Sequence, residues 1–243
     1  MQPKQGELQP GAIHVWSAQL PQADVWGQIY DQGQEILSPD ERQRAERSLD
    51  AHGGSAVEPI RFVATRVLLR RLLGQYLNCS PAQLSFTYSE HGKPALAGFE
   101  DDKLLQFNVS HSAERMVCAI SAQIPVGVDV EVTNPAANYE AIARRICCPD
   151  EWIVLSALDP VQRREVFLKI WTRKEAVIKL NGDRLFAGLR RYPVPVQLQC
   201  QGEWLEMPNQ QIWLQDLNLW EDTAAAIALS GQPTTITHAH WQW

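Results

Sequence analysis

Between Val126 and Val132 apolar residues alternate with Gly127, Asp129 and Glu131. In an extended chain side chains two apart share a face, so the two acids project together and the valines point the opposite way. Such a pair can be the solvated face of any surface strand. It gains chemical meaning beside a hard cation such as Mg²⁺, which typically takes one or two protein carboxylates and fills its remaining positions with water and phosphate oxygens. A second segment runs from Trp171 through Thr-Arg-Lys-Glu-Ala-Val-Ile to Lys179. On a helix Glu175 and Lys179 lie four apart on one face, with Trp171 one turn earlier; alone, such a pair is ordinary surface chemistry worth about 0.2 to 0.5 kcal/mol. Combined with the strand acids it supplies a third carboxylate for a cation and an ammonium for a phosphate oxygen.

A third segment, Phe107-Asn-Val-Ser-His-Ser112, follows the turn sequence His91-Gly-Lys-Pro94. A Gly-Lys-Pro turn exposes backbone amides and a cation, and Ser110 with His111 at a strand end can hydrogen-bond phosphate. Adjacent Ser and His also raise a hydrolase reading. Nucleophile and base of known triads meet through the fold, however, and there is no G-x-S-x-G elbow. The P-loop pattern G-x-x-x-x-G-K-[ST] is absent too, which disfavours that class of phosphoryl transferase. Arg42, Arg44, Arg47, Arg61, Arg66, Arg70 and Arg71 form a basic group from which a local anion pocket can be built, since guanidinium binds phosphate in bidentate fashion.

These residues need elements to position them. Ala12 to Leu20 and Val126 to Val132 read as strands, and each is followed by helical sequence. Ser38-Pro39-Asp40-Glu41 offers an N-cap, a proline for the first turn and early acids, and Cys148-Pro149-Asp150-Glu151 repeats the Pro-Asp-Glu element. Longer helices follow, about Pro59 to Tyr76 and Val161 to Leu180, with Thr65-Arg66 and Thr172-Arg173 at similar places. Each half closes on a small-residue strand, Met116 to Ser121 and Ala224 to Ser230. The order recurs, giving an α+β chain of two similar subdomains, 1–122 and 126–243, joined through Gln123-Ile124-Pro125. Ligand sites favour such junctions.

A chain of 243 residues with 45% hydrophobic residues can bury about 70 to 75% of its unfolded surface. With 22 basic and 28 acidic residues the formal charge is -6, which lacks the positive field of a general nucleic-acid binder and leaves any anion site local. The polar stretch Met1 to Pro10 carries no secretory signal, and no run approaches 18 apolar residues, so a soluble cytoplasmic protein is expected. Five cysteines without C-x-x-C spacing read as free thiols of a reducing compartment. His238 and His240 near the end lack further metal ligands and read as a terminal segment without a catalytic role.

Taken together the segments resemble the 4'-phosphopantetheinyl transferases of the Sfp type. That family's G-[IV]-D-[IV]-E strand and W-[ST]-x-K-E-[AS]-x-x-K helix match Gly127 to Glu131 and Trp171 to Lys179, and its F-N-[IV]-S-H-S and G-K-P segments match Phe107 to Ser112 and Gly92 to Pro94. The resemblance implies a pseudo-twofold pair of α+β subdomains with coenzyme A in the cleft between them. It implies that Asp129, Glu131 and Glu175 hold Mg²⁺ against the pyrophosphate, that Lys179 meets a phosphate oxygen, and that Lys93, Pro94, Ser110 and His111 lie on the coenzyme. It also implies Arg44 and Arg61 for the 3'-phosphate and Glu151 as a helix-start acid near the site. Glu41 stands where some relatives have lysine, and Arg42 is the neighbouring alternative. The implied partner is an acyl or peptidyl carrier protein, and the implied state a monomer.

Overall fold

The structure is a computed structural model, and the residues it describes are 8–21, 26–51, 57–98, 105–134, 136–184 and 189–243. Of the polar stretch Met1 to Pro10, residues 1–7 lie outside them. The first half runs β1 (Ala12–Gln19), α1 (Trp26–Ile36), α2 (Pro39–Ala51), α3 (Val57–Leu77), a 3-10 turn at Pro81–Gln83, β2 (Ser85–Tyr88), β3 (Pro94–Ala97), β4 (Leu105–Ser112) and β5 (Arg115–Ala122). The second runs β6 (Val126–Val132), α4 (Tyr139–Ile146), α5 (Pro149–Ser156), α6 (Pro160–Asn181), β7 (Glu203–Met207), β8 (Gln210–Asp216), β9 (Thr223–Leu229) and β10 (Thr235–Trp241). The fold is mixed α and β, as expected, and the strands and long helices read from the sequence are present.

Local chemistry explains where the helices start. At α2 the Glu41 amide donates to Ser38 Oγ at 3.4 Å while the Ser38 amide donates to Glu41 Oε2 at 3.0 Å, a reciprocal capping box. At α5 the Cys148 amide donates to Glu151 Oε2 at 2.8 Å. Each capping acid is buried and paired with a cation of the next long helix, Glu41 with Arg70 at 2.7 Å and Glu151 with Lys174 at 2.8 Å. α6 begins with Asp159 accepting from the amides of Val161 and Gln162, followed by Pro160, and ends where Gly182 turns left-handed at φ 68°.

Two four-stranded sheets, ordered β10-β1-β5-β4 and β6-β9-β8-β7, accompany a β2-β3 ribbon. The last strand crosses between halves: β10 pairs in parallel with β1, with Val15 opposite His238 and Ser17 opposite His240. His238 and His240 thus sit on a strand, with Nε2 of His238 2.8 Å and Nδ1 of His240 3.1 Å from Ser17 Oγ. Three cores follow from the alternation of side chains. One lies between the first sheet and α3, another between the second sheet and α6, and a third between the sheets, where Ile13, Val15, Val117 and Ala119 meet Val126, Val128, Val130, Ala225, Ile227 and Leu229. The five cysteines are unpaired and buried or half-buried. No helix among the described residues is long and apolar enough to cross a membrane.

Candidate active site

Strand β6 spends one face on the core between the sheets and turns the other, with Gly127, Asp129 and Glu131, toward α6. The helix approaches so closely that a Cβ at position 127 would stand 2.1 Å from the Ala176 carbonyl oxygen and 2.3 Å from the Leu180 amide. Glycine is therefore what lets α6 bring Glu175 and Lys179 down onto the strand acids. Lys179 Nζ lies 2.6 Å from Asp129 Oδ1 and 3.8 Å from Glu175 Oε2. Trp171, one turn earlier, donates its indole N–H to Glu131 Oε1 at 3.3 Å. The intervening Arg173 and Lys174 point elsewhere and are fully buried. Arg173 forks onto Asp216 at 2.8 and 2.7 Å, and Lys174 donates to the Leu189 and Tyr192 carbonyls and Glu151.

The first half reaches the site through β4. Asn108, Ser110 and Ser112 share one face of that strand, and all three bind β6 through side chains. Val128 N–H donates to Asn108 Oδ1 at 2.9 Å, Ser110 Oγ donates to Asp129 Oδ1 at 2.7 Å, and Ser112 Oγ donates to Glu131 Oε2 at 2.6 Å. Lys179 Nζ donates to Ser110 Oγ at 2.8 Å, closing a Lys-Ser-Asp triangle. The edges of the two sheets are thus joined by polar side chains instead of a backbone ladder.

Charge in the cluster is unbalanced. Burial, followed by the Asp129 carboxylate and also Glu131, lifts Glu175 to about 8 against the pull of Lys179. Burial and Asp129 raise Glu131 as well, although hydrogen bonds from Ser112 and Trp171 pull it down. Burial disfavours the Lys179 ammonium, but Asp129, Glu175 and Glu131 outweigh it and raise its pKa above the ordinary lysine value. One ligand atom from each of Asp129, Glu131 and Glu175 lies within 4.8 Å of the other two. Asp129 Oδ2 is buried without a hydrogen-bond partner. An all-oxygen donor set, an orphaned carboxylate oxygen and a surplus of negative charge are what a hard divalent cation satisfies, so the residues fit Mg²⁺.

The other expected residues fall in different places. Lys93, on the turn before Pro94, reaches into the second half and donates to the carbonyls of Val126 at 3.2 Å and Leu180 at 3.0 Å, with burial drawing its pKa down to about 8. Pro94 opens β3 opposite Tyr88. His111 is exposed on the face of β4 opposite Ser110, so the structure separates two residues the sequence places together. Glu151 spends its oxygens inside the second half, accepting from Cys148 N–H and Val194 N–H and pairing with Lys174. Glu41 is likewise buried against Arg70 and Arg66, and Arg42 donates to the carbonyls of Gln34 and Leu37 at the end of α1. Arg44 is exposed, its guanidinium 4.8 Å from the Phe62 ring centroid, and Arg61 is half-buried on α3. Arg66, in the sequence only one member of the basic group, lies over the rings of Phe62, Phe86 and Tyr88 and donates to the Tyr88 hydroxyl at 2.8 Å. The signal was the i, i+4 stripe Phe62, Arg66, Arg70 on α3.

Two family models describe the chain: the 4'-phosphopantetheinyl transferase superfamily matches residues 125–228, and the N-terminal model of 4'-phosphopantetheinyl transferase matches 27–123. The chain belongs to the 4'-phosphopantetheinyl transferase superfamily and is a transferase of the Sfp type. It is 32% identical over 225 residues to the 4'-phosphopantetheinyl transferase HetI of a Nostoc species, spanning 90% of this chain and 88% of the relative. It is 29% identical over 177 residues to the 4'-phosphopantetheinyl transferase Sfp of Bacillus subtilis, spanning 72% of each chain. Against the 4'-phosphopantetheinyl transferase AcpT of Escherichia coli it is 38% identical over 122 residues, 50% of this chain and 57% of that one.

Proposed function

We propose that this transferase moves the 4'-phosphopantetheine arm of coenzyme A onto a serine of an apo acyl or peptidyl carrier protein, releasing 3',5'-adenosine bisphosphate, and that it works as a monomer with Mg²⁺ in a pseudo-twofold cleft between its halves. The observation that carries the reading is the convergence of Asp129, Glu131 and Glu175 within 4.8 Å beside Lys179, with residues of both halves joined there. The three carboxylates would hold the ion, which when bound neutralises charge on a pyrophosphate. The Lys179 ammonium offers a phosphate oxygen a donor, and Glu175 or Glu131 takes the serine proton as the serine oxygen bonds to the β-phosphorus and the bridging oxygen leaves with the adenosine bisphosphate. Arg44, Arg61 and Arg66 give the first half its cationic side for the 3'-phosphate, with Lys93, Pro94, Ser110 and His111 along the coenzyme's path.

The carrier expected by family resemblance is acidic, whereas this chain carries -6, so docking rests on a local surface. Support comes from a cavity of about 190 Å³ lined by Glu131, Tyr139, Ile142, Phe167 and Trp171, with exposed Arg144 and Arg145 on the same helix α4. An apolar patch with a basic rim gives affinity from the patch and tunes association through the rim. Incubation with coenzyme A, Mg²⁺ and an apo carrier, followed by intact-mass measurement, tests the reading. A mass gain of one phosphopantetheine group on the carrier is expected, reduced at least about 100-fold in Asp129→Ala and Glu175→Ala and by chelation. No mass gain with any apo carrier, or full activity in both variants, would overturn it.

A further inference from the structure

We propose that Ser112 is a positioning residue for metal binding: its hydroxyl, carried by the first half, holds Glu131 of the second half in the orientation that faces Asp129 and Glu175. This deepens the metal assignment made above and rests on it.

The hydrogen-bond inventory of Ser112 carries the inference. Its one proton goes to Glu131 Oε2 at 2.6 Å, and its oxygen accepts from the Val132 amide at 3.2 Å. Donor and acceptor functions are both engaged, which fixes the hydroxyl rotor. The Cα is fixed as well, because Ser112 pairs with Arg115 across a two-residue turn in which Ala113 takes φ 48°. On the other carboxylate oxygen, the Trp171 indole N–H sits at 3.3 Å. Glu131 is therefore held at both oxygens, from a strand of the first half and a helix of the second, while each oxygen keeps a lone pair for a cation.

The need for such a hold differs between the three acids. Asp129 has a short side chain, is fully buried and is fixed by Ser110 and Lys179. Glu131 has one more rotatable bond, is only half-buried near the end of β6, and without Ser112 can turn toward solvent. Partners that orient metal-ligating carboxylates typically contribute 10- to 100-fold in metal affinity. Ser112 is also the outermost rung of the Asn108, Ser110, Ser112 series, so its contact with Glu131 exists only while β4 lies seated on β6. The cation affinity of carboxylates carried entirely by the second half thereby depends on the first.

Mg²⁺ binding should be measured by calorimetry, with Mn²⁺ binding by electron paramagnetic resonance, on the full chain without coenzyme, for wild type, Ser112→Ala, Ser112→Val and Ser112→Thr. Metal-free melting curves report folding of each. The expected result is about 10-fold weaker binding in Ser112→Ala and Ser112→Val and recovery to within about 2-fold of wild type in Ser112→Thr, which differs from the valine variant by one hydroxyl. Unchanged affinity in the folded alanine and valine variants would overturn the inference, as would equal weakening in all three or their failure to fold, both of which assign Ser112 to packing. Absence of Mg²⁺ and Mn²⁺ binding by wild type would overturn the metal assignment together with it, so the two failures are distinguishable.

Discussion

Gly127 and Ala176 are in backbone contact, the strand that carries two acids pressed against the helix that carries the third. Because the atom that a side chain at 127 would strike is a helix carbonyl, 2.1 Å away, the clash cannot be relieved by a rotamer change. Gly127→Ala is expected to destabilise the chain by about 3 kcal/mol, through overpacking against backbone. Chemical denaturation measures it, and a loss below about 0.5 kcal/mol would contradict the contact.

The raised pKa of Glu175 makes a signed prediction about pH. Its folded pKa stands at about 8 against an ordinary 4.5, so the metal-free folded state holds the proton more tightly than the unfolded chain does. The associated stability is fully present below about 4.5 and is lost as pH rises through about 8. Under the metal assignment proposed above, a bound cation would take the place of that proton. Metal-free melting temperature is expected to fall across this window more steeply in wild type than in Glu175→Gln, and the Mg²⁺-induced rise in melting temperature is expected to grow with pH in wild type alone. Parallel melting profiles of the two proteins would reject the assignment.

Lys93 presents a choice between two jobs that stability and affinity measurements separate. Its ammonium holds the carbonyls of Val126 and Leu180, at the start of β6 and the last turn of α6. Lys93→Met leaves both carbonyls without that donor and is expected to cost about 1 to 3 kcal/mol in stability. If the lysine serves the coenzyme instead, the variant keeps its stability and shows only a raised KM for coenzyme A.

Arg66, which lies over the Phe62, Phe86 and Tyr88 rings, is proposed for the 3'-phosphate beside the two arginines implied by the resemblance. Arg66→Ala and Arg44→Ala are expected to weaken coenzyme A by about 1.5 to 3 kcal/mol where the contact is buried, and less at exposed Arg44. Binding of 3'-dephospho-coenzyme A should change little. Equal losses for the two ligands, measured by calorimetry, would place these arginines away from the 3'-phosphate.

How much of this was legible in the sequence varies with the range of the interactions. β6 and α6 were readable because one alternation and one i, i+4 spacing specify which residues share a face, and both faces turn out to be the ones that meet. Glu41 and Glu151 were half-readable: the capping pattern marked the helix starts, but the burial of each acid against Arg70 or Lys174 depends on partners 29 and 23 positions away in the sequence. The β4 to β6 contacts were not readable, since nothing local says that Asn108, Ser110 and Ser112 meet a strand of the other half. His111 illustrates the same limit. Adjacent to Ser110 in sequence, it points the opposite way because a strand reverses its side chains at each residue.

The parallel pairing of β10 with β1 bears on how the chain is made. Of the elements described, β1 leaves the ribosome first and β10 last, yet they lie side by side with seven paired positions from Ala12 with Thr235 to Ala18 with Trp241. β5 can complete one side of β1 early, when about half the chain exists. Throughout synthesis of the second half, the other side of β1 stays an unsatisfied row of amides and carbonyls, flanked by Ile13, Val15 and Trp16. An open strand edge of that composition is a template for foreign strands. The nascent first half therefore passes through a period of exposure to misassembly that ends only when Thr235–Trp241 arrives to cover it.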